Sequence, residues 1–437
     1  MRDILFNDAT LSVARALPSL IGIADVPIVI IRDVLGRFRV AINRNRDEVD
    51  NHFVIPIRQA FAELGNYAPQ AEQAILFRDD FFDPDSVFKN PDIQNFLPEM
   101  NGQSLFLLDR TITGQEWLRT RPARKDKPTR IAVYGIKGGV GRSTALAIAA
   151  YRLAQGGKNV LVVDLDLESP GLSSLLLPAF PKYGLVDWFV EDAVGQGELV
   201  VERMTRQSPL ATNTQGQINV VSAIGADDKF FLSKLSRIYG DIPSSNGPIR
   251  FAKRVAKVID RLEEIYTPDV VLLDSRAGLH DIAAISIVDL ADYTFLFASN
   301  SEATWQGYQK LFSHWQTFPD VARSVRESLK IVYALFPETN QISRSESFLE
   351  CSYELFLNTL YDEVPPYSEE SANEHTAISY DEQNSEAPHY PLRIKWNNRF
   401  QEFSLEMLEN NILEEADIEA SYGQFLEGVQ NAVGANE

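Results

Sequence analysis

Three short groups of residues in this 437-residue chain have the types and spacing for chemistry on a phosphate chain. The first is Lys137-Gly138-Gly139-Val140-Gly141-Arg142-Ser143-Thr144. Glycines let a backbone approach a ligand closely, successive amide N–H groups can converge on one anion, and a Ser or Thr closing such a loop is placed to bind Mg²⁺. The second group is Asp164-Leu165-Asp166 and the third is Asp274-Ser275-Arg276-Ala277-Gly278. Carboxylates suit a hard cation that keeps several of its waters. Taken singly, each aspartate has a plainer reading as a strand-end residue that caps the next helix.

The flanking residues predict what positions these groups. Residues 130–133 form a β-branched and apolar run that reads as a buried strand, and 145–154 read as a strong helix former with one apolar face. The glycine loop therefore joins a strand to a helix N-terminus. Further strands are predicted at 159–163, 218–221, 269–273, 293–297 and 330–335, with helices at 249–266 and 304–318. Such alternation predicts a doubly wound, mostly parallel α/β sheet with helices on both faces. Ligands of such sheets bind beyond the carboxyl ends of the strands, where all three groups fall.

The loop resembles the deviant phosphate loop of the ParA/MinD-type ATPases, Lys-Gly-Gly-x-Gly-Lys-[Ser/Thr], with two departures. The usual loop lysine is Arg142, and the first glycine of the general pattern is Ile136. The resemblance covers about 129–340, and the three groups occur in the family's order. It implies ATP and Mg²⁺ as ligands. Lys137 to Thr144, with Gly138, Gly139, Val140, Gly141, Arg142 and Ser143 between them, would hold the phosphates. Ser143 would ligate the metal, Asp164 would act in its outer shell, and Asp274 would bond a metal-bound water. Asp166 would orient the attacking water, and Gly278 corresponds to the switch II glycine. Lys137 corresponds to the signature lysine that reaches a partner's nucleotide, which implies an ATP-dependent homodimer. Pro337 fits the family's base segment, although the asparagine that often precedes it is missing. Arg142 keeps a positive charge, but as a planar fork rather than a point charge. Two activities follow: a hydrolysing switch that controls a partner protein, plausible in a bacterial defence or positioning system, or a nucleotide-binding module with little turnover. A third, the bacterial tyrosine kinase, shares the motifs, but Tyr367, Tyr380, Tyr390 and Tyr422 are scattered where that branch clusters its tyrosines.

The rest of the chain reads as additions to this core, 129–362. Residues 1–118 are expected to be a small α+β domain, a sensor or partner-docking module. Its strands are predicted at 26–32, 37–42, 73–77 and 104–108 and its helix at 48–64. The acidic cluster Asp79, Asp80, Asp83 and Asp85 reads as a solvated loop rather than a cation site, and His52 as structural. A basic linker spans 119–128, a loop or insertion 363–391, and an acidic helical segment 392–437, with helices at 405–411 and 417–433.

Composition narrows the partners. The net charge of −20 is concentrated late: residues 1–128 hold 16 Lys and Arg against 18 Asp and Glu, and residues 360–437 hold 3 against 17. Such a segment repels nucleic acid and anionic membrane. The basic residues Arg250, Lys253, Arg254, Lys257 and Arg261 share one helix face, the place to look for DNA binding. A solvated face balanced by Asp260, Glu263 and Glu264 is the preferred reading. The single cysteine, Cys351, excludes an internal disulfide and a cysteine-held cluster, and fits a reducing cytoplasmic compartment. Residues 17–31 are interrupted by Pro18, Asp25 and Pro27 and do not read as a membrane span, and no signal peptide is visible.

Overall fold

The computed structural model describes residues 4–16, 28–69, 73–96, 105–120, 124, 127–226, 229–244, 247–362, 378–400, 403–409 and 413–435. Most of the early apolar stretch, half of the basic linker, Tyr367 and the first half of 363–391 lie outside the described residues. The chain divides into two compact units, Met1–Thr120 with Phe312–Ser324, and Arg121–Leu311 with Val325–Glu437.

The first unit is a five-stranded mixed sheet of order β3-β2-β1-β5-β4. Its strands are β1 (Ile28–Arg32), β2 (Phe38–Ile42), β3 (Ile75–Phe77), β4 (Ile93–Phe96) and β5 (Leu105–Asp109). Helix Asn51–Ala62 starts at an Asp50 cap that accepts from the His52 N–H, so His52 sits in a first turn. The acidic cluster is spent on local structure. Asp80 takes both 2.8 Å bonds from Arg46, Asp79 accepts from the Arg46 N–H, and Asp85 pairs with Lys89. Residues 312–324 belong to this unit rather than to a core that runs unbroken over 129–362. Trp315 is fully buried there, and its indole N–H donates to the Trp117 carbonyl at 3.1 Å.

The second unit is an eight-stranded sheet of order β13-β12-β11-β6-β10-β7-β9-β8. Its strands are β6 (Thr129–Gly135), β7 (Asn159–Asp164), β8 (Thr205–Gln207), β9 (Gln217–Val221), β10 (Val270–Asp274), β11 (Tyr293–Ala298), β12 (Leu329–Phe336) and β13 (Leu392–Lys395). All pairings are parallel except the edge strand β8. Central strands buried on both faces explain the near-continuous apolar runs that betrayed them in the sequence. Helices Arg142–Gln155 and Glu415–Gly434 cover one face, and Leu185–Ala193 and Phe251–Tyr266 the other.

The C-terminal segment is therefore not an appended tail. Leu392–Lys395 is a sheet strand, and Phe425 of the last helix meets Phe295 and Phe297 edge-on at 5.4 and 5.6 Å. Burying aromatic side chains of this size contributes roughly 1.5–3 kcal/mol each. The acidic side of that helix is partly paired: Glu415 and Glu419 flank Arg152.

The buried His389 gives this region a pH response. Its Nε2 lies 2.9 Å from the Glu382 carbonyl, which can only accept, so Nε2 carries the proton and Nδ1 accepts from Tyr361 at 2.6 Å. Burial holds its pKa below the ordinary histidine value. The unfolded chain thus gains a proton below about pH 6.5 that the folded chain resists. Stability is expected to fall as pH drops through and below that value. Thermal melts of wild type and His389→Gln between pH 7.5 and 5.5 check this, the variant showing the shallower decline.

Candidate functional site

The glycine loop leaves the buried end of β6 and enters helix Arg142–Gln155 directly. Gly139 and Gly141 have φ of +75° and +80°, a region that side chains rarely adopt, and no atom lies within 4 Å of where their Cβ atoms would stand. An open backbone cradle at a helix N-terminus results. Ile136, in place of a glycine, packs on the helix that follows β11. A Cβ on Gly307 would lie 2.3 Å from its Cγ2, so only glycine at 307 admits it. Lys137, Gly138 and Gly139 are exposed.

Parallel pairing then sets the aspartates beside the loop. Asp274 pairs with Val133 on the strand that feeds the loop and with Asp164 on its other side, so Asp164 stands one strand further out. Ser143 Oγ donates to Asp274 Oδ2 at 2.6 Å, while Asp274 Oδ1 is buried without a hydrogen-bond partner. Asp164 is fully buried and accepts from the Ser173 N–H and hydroxyl. Burial pushes both carboxyls upward, Asp164 further because Asp274 adds its own charge; Arg142 and Ser143 pull Asp274 back. Burial also raises Asp166, against the pull of Arg142, of the Ser169 N–H and of Arg276.

The buried, unpartnered Oδ1 is the test of whether a cation fits. A buried carboxylate oxygen left unbonded is costly, and a Mg²⁺-bound water would satisfy it. Among the described residues no group of three or more His, Cys, Asp or Glu could hold a metal by itself. Mg²⁺ takes one or two protein ligands and completes its shell with waters and phosphate oxygens. Ser143 and Asp274 are the residues that would hold it, with Asp164 behind them.

Arg142 is the first residue of the helix that follows the cradle. It is buried, and its Nη1 donates to the Ser275 carbonyl at 2.5 Å. It ties the loop to the turn after β10, a contact invisible in the motif because its acceptor is 133 residues away. Pro337 stands just beyond β12, two strands from β6 in the sheet order. Before it, Leu335 holds a φ of +56°, uncommon for a residue with a side chain.

The basic helix face corrects two expectations together. Arg254 is 1% exposed, and its guanidinium bonds Asp192 and the carbonyls of Ile238 and Phe189. Lys257 takes the other Asp192 oxygen at 2.7 Å, and Arg261 pairs with Glu198 and Glu264. Asp260 and Glu263 instead bind Arg130, and Glu263 also binds Arg124. Arg254 is withdrawn from the face while Lys253 and Lys257 stay exposed on it, and Arg124 of the basic linker pairs with Glu263. Tyr422 is buried in the core, so it is no accessible phosphorylation site.

Sequence reading passed over Glu168, Tyr239 and Arg276. The Arg276 guanidinium pairs with Glu168, and Tyr239 Oη donates to the same Glu168 oxygen at 3.0 Å. Arg276 stood inside the quoted motif; its charge, in a loop otherwise small and polar, was the available signal.

Comparison with known proteins agrees on the loop region. Residues 129–180 match the family described as AAA domain. The cytosolic Fe-S cluster assembly factor cfd1 of Aspergillus clavatus is 29% identical over 185 residues, 41% of this chain and 51% of that protein. The chain thus spans about half the length of the curated relative it matches. Two solved structures are similar at low identity. The ParA family ATPase from Chlorobium tepidum TLS is 14% identical with a TM-score of 0.45, over 68% of this chain and 98% of that one. MinD complexed with Mg-ADP from Pyrococcus horikoshii is 16% identical with a TM-score of 0.45, over 71% and 99%. One cysteine in the whole chain leaves no thiolate set for a cluster of its own.

Proposed function

We propose that the ParA/MinD-type P-loop core of this chain binds ATP with Mg²⁺ and acts as a slowly hydrolysing switch that controls a partner protein. The observation that carries this reading is the buried Ser143–Asp274 hydrogen bond with its unpartnered Asp274 Oδ1, beside an open glycine cradle. When bound, Mg²⁺ neutralises phosphate charge and orients the terminal phosphoryl group. The protein's own part is positioning: loop amides hold the phosphates, Asp274 and Asp164 orient the metal's waters, and Asp166 directs the attacking water. Exposed Lys137 suits a role toward a second copy, and we assign residues 1–118 to reading the partner. No described helix is long and apolar enough to cross a membrane.

Calorimetry with ATP and Mg²⁺ tests the binding reading. Uptake is expected to weaken at least tenfold in Ser143→Ala, and a wild type that takes up no nucleoside triphosphate refutes it. Analytical ultracentrifugation tests the switch; a monomer at saturating ATP and Mg²⁺ removes the dimer.

The low-turnover reading has its own observation. A guanidinium that spends Nη1 on the Ser275 carbonyl is tethered to the turn after β10, unlike the free point charge of a phosphate-loop lysine. Arg142→Lys, with a shorter reach to that carbonyl and a point charge, is expected to raise phosphate release about tenfold, a shift of about 1.4 kcal/mol in barrier. An unchanged or lower rate in a folded variant rejects that account of Arg142.

A further inference from the structure

The turn after β10 is pinned at both ends to the strand that feeds the phosphate loop. Asp274 pairs with Val133, and the Gly278 N–H donates to the Gly135 carbonyl at 3.1 Å while the Gly278 carbonyl accepts from Tyr134 Oη at 3.2 Å. Between the pins, the Ser275 carbonyl is held by Arg142. Arg276 is the crest of this turn. Its side chain is 28% exposed, and its charge acts on Asp166.

The guanidinium ion-pairs with Glu168, two residues past Asp166, while its Nη1 is buried without a hydrogen-bond partner. Glu168 itself is well supplied: Tyr239 Oη donates to it at 3.0 Å, and His280 Nε2 lies 3.8 Å away. Tyr239 is braced edge-on by Phe251 and His280, with ring centroids 5.2 and 5.5 Å apart. Glu168 can therefore lose Arg276 and stay partnered. Partly exposed pairs of this kind are worth roughly 0–1 kcal/mol, so releasing the guanidinium is cheap. A carboxylate presents the same bidentate acceptor pattern as a phosphoryl group, which carries more charge.

We propose that Arg276 is the in-chain arginine that neutralises the transferred phosphoryl group, and that Glu168 with Tyr239 holds it in reserve. This rests on the ATP reading above and goes beyond it. It gives the chain its own charge-stabilising arginine, without a second subunit. Arginines in this role are worth about 10³-fold or more in turnover.

The test is trapping of Mg²⁺–ADP–aluminium fluoride, which mimics the transferring phosphoryl group, on the full chain, beside affinity for a non-hydrolysable ATP analogue. Arg276→Ala is expected to reduce the trapped complex at least tenfold while analogue affinity changes less than threefold. Arg276→Lys should recover part of the trapping, and Glu168→Gln should speed it. Trapping by Arg276→Ala equal to wild type overturns the proposal, and so does a parallel loss of analogue affinity in both Arg276 variants. A wild type that binds the analogue but shows either result sinks this inference alone; one that binds no nucleotide takes the ATP reading with it.

Discussion

Replacing Arg254 with alanine will lower the stability of the second unit by about 3–5 kcal/mol, the usual cost of breaking a buried, bonded charge. The side chain joins three helices: Phe251–Tyr266, which carries it, Leu185–Ala193 through Asp192 and the Phe189 carbonyl, and Phe231–Ile238 through the Ile238 carbonyl. Removing it takes a donor from two carbonyls and leaves the buried Asp192 with Lys257. Urea unfolding monitored by tryptophan fluorescence checks this, since Trp188 sits in the same cluster. Lys257→Ala, at a 61% exposed side chain, should cost far less. Equal losses in the two variants would mean that Arg254 is not the keystone of this contact. Any DNA affinity lost in Arg254→Ala would follow from unfolding, not from a missing phosphate contact.

Asp166→Asn will reduce steady-state phosphate release by about 10²–10⁴-fold while leaving ATP-analogue affinity within a few-fold of wild type. The asymmetry follows from position. Asp166 is only half-buried and holds nothing essential, accepting one long 3.3 Å bond from the Ser169 N–H. Asp164, two residues earlier, is fully buried and anchors Ser173, so its loss should damage folding and binding together. Phosphate release and calorimetry on both variants separate the two roles. A large affinity loss in Asp166→Asn, or unchanged turnover, contradicts the assignment of Asp166 to the attacking water.

The phosphate loop, both aspartate groups and the alternation of strand and helix were legible in the residues. Each is a local feature: glycines where φ must be positive, apolar runs where strands are buried twice, carboxylates at strand ends. The opposing targets were not legible. The tie of the loop arginine to the Ser275 carbonyl could not be read from the motif, because that acceptor lies 133 residues away. The five cations of helix 249–266 read as one face because helical periodicity gives an angle, not a neighbour. Three of them turned out to be divided between burial and partners on other elements.

The same distinction governs the C-terminal segment. Ile418, Tyr422, Phe425 and Val429 recur at helical spacing along it, and that side is buried. Its acidity suggested an appended tail, because net charge sums over a whole segment while packing depends on one stripe of it. The sequence alone determined that a glycine cradle lies between a strand and a helix, with aspartates at neighbouring strand ends. Only the tertiary structure decided which of the nearby charges face that cradle and which are spent holding the fold, since a charge is committed by the partner that long-range pairing brings to it.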